Sequence, residues 1–156
     1  MAKKIILWVL IILWMSVIFA FSNQQATQSK KVSSGVIKTV VKAFDFNDSL
    51  SEEELTNISE KLTFVVRKGA HFSAYALLGL LIAMLLKEYN ILKAKQFLLS
   101  IGIAFLYACS DEIHQIFVKG RSGEVRDVII DTCGAIFGVL ILKLIIRIKN
   151  KAKIKR

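Results

Sequence analysis

The sequence predicts an all-α membrane protein, in which four transmembrane helices form a bundle and two extracytoplasmic amphipathic helices lie between the first and second spans. Three observations predict this fold. Apolar residues make up 54% of the 156-residue chain, whereas about 45–50% is usual for soluble domains. Four apolar runs approach the length of a membrane span, and Lys and Arg are concentrated in segments that would share one side of the membrane. The length allows a single domain, residues 1–156.

The four predicted spans are residues 5–21, 69–86, 97–117 and 128–146. A helix needs about 20 residues to cross the hydrocarbon core of a bilayer. The second span approaches this length only if it begins near Gly69, and the third only if it includes the polar residues 111–115. The first run follows two lysines, as in a signal peptide, but it is longer than the usual apolar region and contains Trp8 and Trp14. We therefore predict an uncleaved first span.

Basic residues predict the orientation of the spans. They lie before the first span, in the loop between the second and third spans, and in a tail, 147–156, after the fourth. With an even number of spans these segments share one side, which the excess of Lys and Arg identifies as cytoplasmic. Much of the formal net charge of +10 is then topological, and the tail can also attract anionic lipid headgroups. The sequence contains no nucleic-acid-binding motif, so we predict no nucleic-acid partner.

The long outer segment, residues 25–66, carries two amphipathic patterns. The first is an apolar stripe with a four-residue period, at Val32, Val36, Val40 and Phe44. After a break, Ser51 and Glu54 have the spacing of a capping box. A second apolar stripe follows, at Leu55, Ile58, Leu62, Val65 and Val66. We predict two helices that lie on the outer membrane surface or cap the bundle.

Charged and polar residues of three spans converge on the predicted outer ends. A helix places residues four apart on one face. The faces are, span by span, Arg67, His71 and Tyr75; Tyr107, Asp111, His114 and Gln115; and Asp127, Asp131, Gly134 and Gly138. Because ionisable groups are costly inside a membrane, Asp111 and Asp131 are predicted to face the bundle interior. The spacing of Gly134 and Gly138 allows another helix to approach closely, which would turn the Asp131 face inward.

Two interpretations of this polar cluster remain open. In one, cationic side chains pair with carboxylates and fix the helix register; the partners would be Arg67, His71, Arg121 and Arg126 with Asp111, Glu112, Asp127 and Asp131. In the other, the same groups line a pocket open to the outer leaflet, because ionisable groups within spans are functional-site candidates. A transport pathway is not favoured, because the acidic and histidine side chains stop near one face.

Two blocks of the sequence resemble the VanZ-like family of integral membrane proteins. Arg-Lys-Gly-Ala-His-Phe (67–72), with Tyr75 and Gly79, is similar to the first block. The second block comprises Asp-Glu-Ile-His-Gln-Ile-Phe (111–117), Gly-Arg-Ser-Gly (120–123), Arg126, Asp127, Asp131 and Gly134-Ala135. Phe-Ser-Asn-Gln (21–24) resembles the end of the family's first span. Lys119 stands where the family often has Pro, and Ala74 stands where many members have Glu.

The resemblance covers nearly the whole chain and implies a role in the bacterial cell envelope. It implies a multi-pass protein of the plasma membrane, for which the basic loops predict cytoplasmic termini. The family is named for a protein associated with teicoplanin resistance. The implied partners are therefore a membrane lipid, a lipid-linked cell-wall precursor or a lipoglycopeptide antibiotic, and binding of the antibiotic would lower susceptibility to it. The resemblance supplies no reaction.

The outer cluster is compatible with two functions. A binding protein would hold a headgroup with arginine forks and neutral hydrogen bonds; its candidates are Arg67, Lys68, His71, Tyr75, Asp111, Glu112, His114, Gln115, Arg121, Arg126, Asp127 and Asp131. A membrane enzyme would act on an outer-leaflet phospholipid or lipid-linked saccharide by acid–base chemistry; its catalytic candidates are His71, Asp111, Glu112, His114 and Asp131. The spacing in 111–114 does not match a zinc motif, so we predict no metal and no cofactor. The oligomeric state stays open.

Overall fold

Four long helices make up the regular structure of the described part of the chain. A computed structural model describes residues 1–23, 35, 37, 39, 51–121 and 123–154. The helices are α1 (Ala2–Ser22), α2 (Glu52–Glu88), α3 (Lys93–Ile116) and α4 (Val125–Ile154). Each of the four is long and apolar enough to cross a membrane, as the sequence predicts. The first predicted amphipathic stripe, Val32 to Phe44, falls outside the described residues apart from the helical positions 35, 37 and 39.

The residues of the second predicted amphipathic helix form the beginning of α2, which continues into the second span, so a separate extracytoplasmic helix is not confirmed. Its capping box is confirmed: Ser51 Oγ accepts from Glu54 N at 3.2 Å, and the Glu54 carboxylate accepts from Ser51 N at 3.0 Å. These hydrogen bonds hold the pKa of Glu54 below its usual value. The sequence predicts a span beginning near Gly69, but the helix runs through that residue without interruption. A single glycine costs a helix only about 1 kcal/mol and does not end it.

Helices α2 and α4 form the most extensive helix pair in the bundle. Their backbones are in close contact, because an added Cβ at Gly138 would lie 1.8 Å from Ala76 O and one at Gly134 would lie 2.2 Å from Phe72 O. This confirms the close approach that the spacing of the two glycines predicts. Asp131 lies one turn before Gly134, so the same contact turns Asp131 toward α2. The Asp131 side chain is fully buried.

Helix α1 packs against α2 and α3 through hydrogen bonds to backbone carbonyls. Trp14 Nε1 donates to Ala74 O at 2.8 Å, and Tyr107 Oη donates to Met15 O at 2.6 Å. The outward surface of the bundle is rich in exposed large apolar side chains, of which Leu106 is 67% exposed. Soluble monomers rarely expose such extensive apolar surface, so the packing agrees with a bundle that spans a membrane.

The bundle has two chemically different ends. At the basic end, α1 and α3 begin, and α2 and α4 reach their final turns. Lys3 pairs there with Glu88, and Lys143 Nζ lies 3.8 Å from the centre of the Phe97 ring. At the opposite end, which we call the carboxylate end, the α3–α4 turn lies beside the first half of α2, where Lys68 contacts Asp127. The start of α1 and the end of α4 thus share the basic end.

Candidate functional site

Four carboxylates from α3 and α4 meet at the carboxylate end, and we call them the carboxylate cluster. Asp131 is 0% exposed, Asp111 2% and Glu112 5%, and Asp127 lies one turn before Asp131 on α4. Asp131 is close enough to Asp111 and Asp127 for their charges to interact, and Glu112 interacts with the same three groups. Residues distant in sequence therefore converge at one depth of the bundle, with Asp111 and Asp131 facing inward.

Two basic side chains of α2 face this cluster. Lys68 Nζ contacts Asp127 and lies 3.9 Å from the Glu124 carboxylate. His71 Nδ1 lies 3.6 Å from Asp131 Oδ1, which is within ion-pair range but longer than a hydrogen bond. The two contacts are one turn apart on both helices, so they fix the register of α2 against α4 in addition to the glycine contacts.

The turn between α3 and α4 is tied to the cluster by side chains. Gly120 has a φ of 80°, a conformation that glycine adopts without strain. After this turn, Arg121 Nη1 donates to Gln115 Oε1 at 3.0 Å, and Gln115 Nε2 donates to Asp111 Oδ2 at 3.2 Å. Glu112 Oε2 accepts from Glu124 N at 2.7 Å, which satisfies a backbone donor where α4 begins. Glu112 therefore anchors the start of α4.

Arg67 and Arg121 place two guanidinium groups beside the carboxylate cluster. Burial of Arg121, followed by repulsion from Arg67, lowers the pKa of the Arg121 guanidinium. Arg67 is half-buried, and within the described ranges no carboxylate pairs with it. On α2, Arg67 lies one helical turn before His71, nearer the start of the helix. The two arginines thus form a positively charged rim outside the buried carboxylates.

Three other predicted residues lie at the margin of this cluster. The His114 ring packs 4.4 Å from the Phe19 ring of α1, and no hydrogen bond or ion pair between described residues joins it to the carboxylates. Arg126 turns outward, where it pairs with Glu124 at 2.9 Å and covers the Phe64 ring. Tyr75 is fully buried, with its ring 6.1 Å from that of Tyr107 and its hydroxyl close enough to Asp111 and Asp131 for electrostatic interaction.

Several buried polar atoms of the site have no hydrogen-bond partner within the described residues. They include both carboxylate oxygens of Asp131, Asp111 Oδ1, Glu112 Oε1, the Tyr75 hydroxyl and His114 Nε2. Buried polar atoms in folded proteins nearly always have a partner, and each unsatisfied one costs about 1–3 kcal/mol. The cluster is therefore energetically expensive, which favours a functional over a purely structural origin.

An open apolar cleft of about 460 Å³ lies between α1 and α2 and leads to the same site. Its walls are Trp14, Val17, Ile18, Phe21, Ala70, His71, Ser73, Ala74 and Leu77. His71 therefore contacts the cleft on one side and Asp131 on the other. Sequence reasoning missed this cleft; the only signal was the set of small residues at 70, 73 and 74, which leave space beside α1. Ala74 is one of these small residues, and it contributes no carboxylate to the cleft.

The chain matches the VanZ/LLP1 family model over residues 7–147. It belongs to the VanZ/LLP1 family. The match covers nearly the whole chain and confirms the resemblance identified in the sequence. Both resembling blocks of this VanZ/LLP1 protein meet at the carboxylate end, with 67–72 on α2, 111–117 at the end of α3 and Asp127 and Asp131 on α4. No curated protein and no solved structure matches the chain significantly.

The site gives no positive indication of a metal centre. In the described part of the chain, no group of three or more His, Cys, Asp or Glu side chains is arranged to hold a metal ion. The absence of a metal and of a cofactor stays a prediction. Among the titratable groups of the site, His71 and Asp131 are the pair best placed for acid–base chemistry.

Proposed function

We propose that this protein is a multi-pass protein of the bacterial plasma membrane that binds an amphiphile of the cell envelope at its carboxylate end. The ligand class is a lipid chain joined to a polar anionic head, which includes phospholipids, lipid-linked cell-wall precursors and the lipoglycopeptide teicoplanin. One observation carries the proposal: the apolar cleft between α1 and α2 ends at His71, beside the polar site. Binding of teicoplanin in this way would lower susceptibility to it.

The cleft suits a hydrocarbon chain. Apart from His71 and Ser73 its lining side chains are apolar, and its volume lies within the range of about 300–1,000 Å³ that small-molecule sites occupy. Because it is open along the side of the bundle, a lipid can enter from the membrane without crossing water.

The polar rim suits an anionic head. Arg67 can offer a planar fork to phosphate or carboxylate oxygens. Arg121, whose Nη1 donates to Gln115, adds positive charge beside it. The buried carboxylates beneath them repel an anion, so the head is held at the level of the two arginines. Asp111 and Asp131 retain free acceptor oxygens that favour hydroxyl or amine groups of the same ligand.

A second candidate function, favoured by the geometry of His71 and Asp131, is a membrane enzyme acting on an outer-leaflet phospholipid or lipid-linked saccharide. His71 would be the general base and Asp131 would orient it, and a separation of 3.6 Å can shorten when substrate binds. Glu112 is a weaker candidate acid than the sequence suggests, because one of its oxygens is held by the backbone at the start of α4.

The binding proposal is tested by native mass spectrometry of the full chain in detergent. Phosphatidylglycerol, an undecaprenyl-diphosphate-linked muropeptide and teicoplanin are the probes. We expect at least one probe to bind, and Ala70→Trp, which fills the cleft, to lower the number of bound probe molecules by one. Arg67→Gln should weaken binding of that molecule about tenfold, the effect of losing one charge-assisted hydrogen bond. Leu106→Trp, on the exposed surface of α3, is the matched control and should leave binding unchanged.

The same samples distinguish binding from catalysis. Product masses that disappear in His71→Asn while probe binding persists would establish the enzyme. Binding without product from any of the three probes would leave the binding function alone. Equal binding by the parent protein, Ala70→Trp and Leu106→Trp would contradict both functions, because each requires the cleft.

A further inference from the structure

A cavity of about 740 Å³ lies at the basic end, at the opposite end of the bundle from the carboxylate cluster. It is bordered by the last turns of α2, the first turns of α3 and residues 139–151 of α4. Five cationic side chains line it, namely Lys87, Lys93, Lys143, Arg147 and Lys151, and its lining includes no Asp or Glu. Three separate helices thus direct positive charge at one space.

These five cations are not neutralised by neighbouring carboxylates. Within residues 51–121 and 123–154, no carboxylate forms an ion pair with any of them. Glu88, which follows Lys87 in the sequence, pairs with Lys3, and its charge also interacts with that of Lys87. The cavity lining therefore has an excess of positive charge, which favours an anionic occupant.

The inner wall of the cavity is apolar. Ala83, Phe97, Val139 and Leu142 line it, and Lys143 is held over the Phe97 ring at 3.8 Å. Gln96 also lines the cavity, but its side-chain amide donates to Ala83 O at 2.7 Å and is occupied. The cavity therefore has cationic side chains beside an apolar inner wall. This arrangement matches a phospholipid, in which an anionic phosphate lies next to the acyl chains.

We propose that this cavity binds the headgroup of an anionic glycerophospholipid from the leaflet at the basic end. Lys143 and Arg147, one turn apart on α4, hold the phosphate, and the upper acyl carbons rest against the apolar wall. If these residues reflected only the general excess of positive charge on one side of a membrane, they would be spread around the whole basic end of the bundle. Their convergence from α2, α3 and α4 on one cavity indicates a built site for an anionic lipid.

The test compares two double variants with equal loss of charge at the same end of the bundle. Lys143→Gln with Arg147→Gln removes two cavity cations. Lys95→Gln with Lys149→Gln, one residue on α3 and one on α4, removes two cations that do not line the cavity. Native mass spectrometry of the detergent-solubilised full chain measures binding of phosphatidylglycerol, with phosphatidylcholine as the zwitterionic reference. Every sample carries Ala70→Trp, which fills the cleft at the carboxylate end, so that bound lipid reports the basic end alone.

The expected result is preferential binding of phosphatidylglycerol that the cavity variant weakens at least about tenfold and the control variant leaves nearly unchanged. Ala94→Trp, at an exposed lining position, should abolish binding without loss of charge. Equal weakening by both double variants, or equal binding of the two lipids, would overturn the proposal. Complete displacement by inorganic phosphate at matched concentration would also overturn it, because a soluble anion would then be the preferred ligand.

Discussion

Replacing Gly138 with alanine is expected to destabilise the bundle by about 1–3 kcal/mol, the usual cost of overpacking. The added Cβ would lie 1.8 Å from the carbonyl oxygen of Ala76, so α2 and α4 would have to separate. Because this contact is between two helix backbones, no side-chain rotation can relieve it. Thermal unfolding of the detergent-solubilised protein measures the effect.

Gly102→Ala is the matched control for this substitution. Gly102 also lies within a helix, α3, but an added Cβ there has no atom within 4 Å. Since alanine favours helix more than glycine by about 1 kcal/mol, we expect Gly102→Ala to retain or raise the melting temperature. Equal melting temperatures for the two variants would show that α2 and α4 are not in backbone contact.

Replacing His71 with leucine is expected to destabilise the protein by about 3–5 kcal/mol, as is typical when one partner of a buried ion pair is removed. Asp131 is 0% exposed, and His71 is the basic side chain that faces it. Leucine would leave a buried carboxylate facing an apolar surface. The same thermal-unfolding measurement in detergent provides the readout.

The double variant His71→Leu with Asp131→Leu separates charge pairing from packing. It should recover most of the lost stability, because an apolar pair in place of a buried ion pair is often neutral. His114→Leu is the control, since the ring of this second histidine packs on Phe19 and forms no hydrogen bond or ion pair with a described carboxylate. If His114→Leu destabilised the protein as much as His71→Leu, the pairing of His71 with Asp131 would not be what stabilises this part of the bundle.

Much of the fold could be predicted from the sequence because span length and helical periodicity are local properties. The capping box at Ser51 and the glycine pair on α4 were recognisable for the same reason, since each depends on residues three or four apart. The continuity of α2 was not predicted. The change from an amphipathic to an apolar pattern near Gly69 indicated a boundary, but a change in environment does not require a change in backbone conformation.

The site was predictable only to the level of helix faces. The faces place His71, Asp111 and Asp131 at one end, but they do not say which partner each side chain has. His114 shares a face with Asp111 in the sequence pattern, yet its ring lies against α1. The apolar cleft depends on how α1 packs beside small residues of α2, and that is a tertiary property without a short-range signal.

The proposed function requires that the carboxylate end of the bundle faces away from the cytoplasm. Single cysteines introduced as Lys119→Cys, in the α3–α4 turn, and Lys149→Cys, near the end of α4, report the two ends in a background with Cys109→Ala and Cys133→Ala. We expect a membrane-impermeant thiol reagent to label position 119 in intact cells and position 149 only after permeabilisation. Labelling of position 149 in intact cells, with protection of position 119, would show the opposite orientation and contradict a binding site for outer-leaflet amphiphiles.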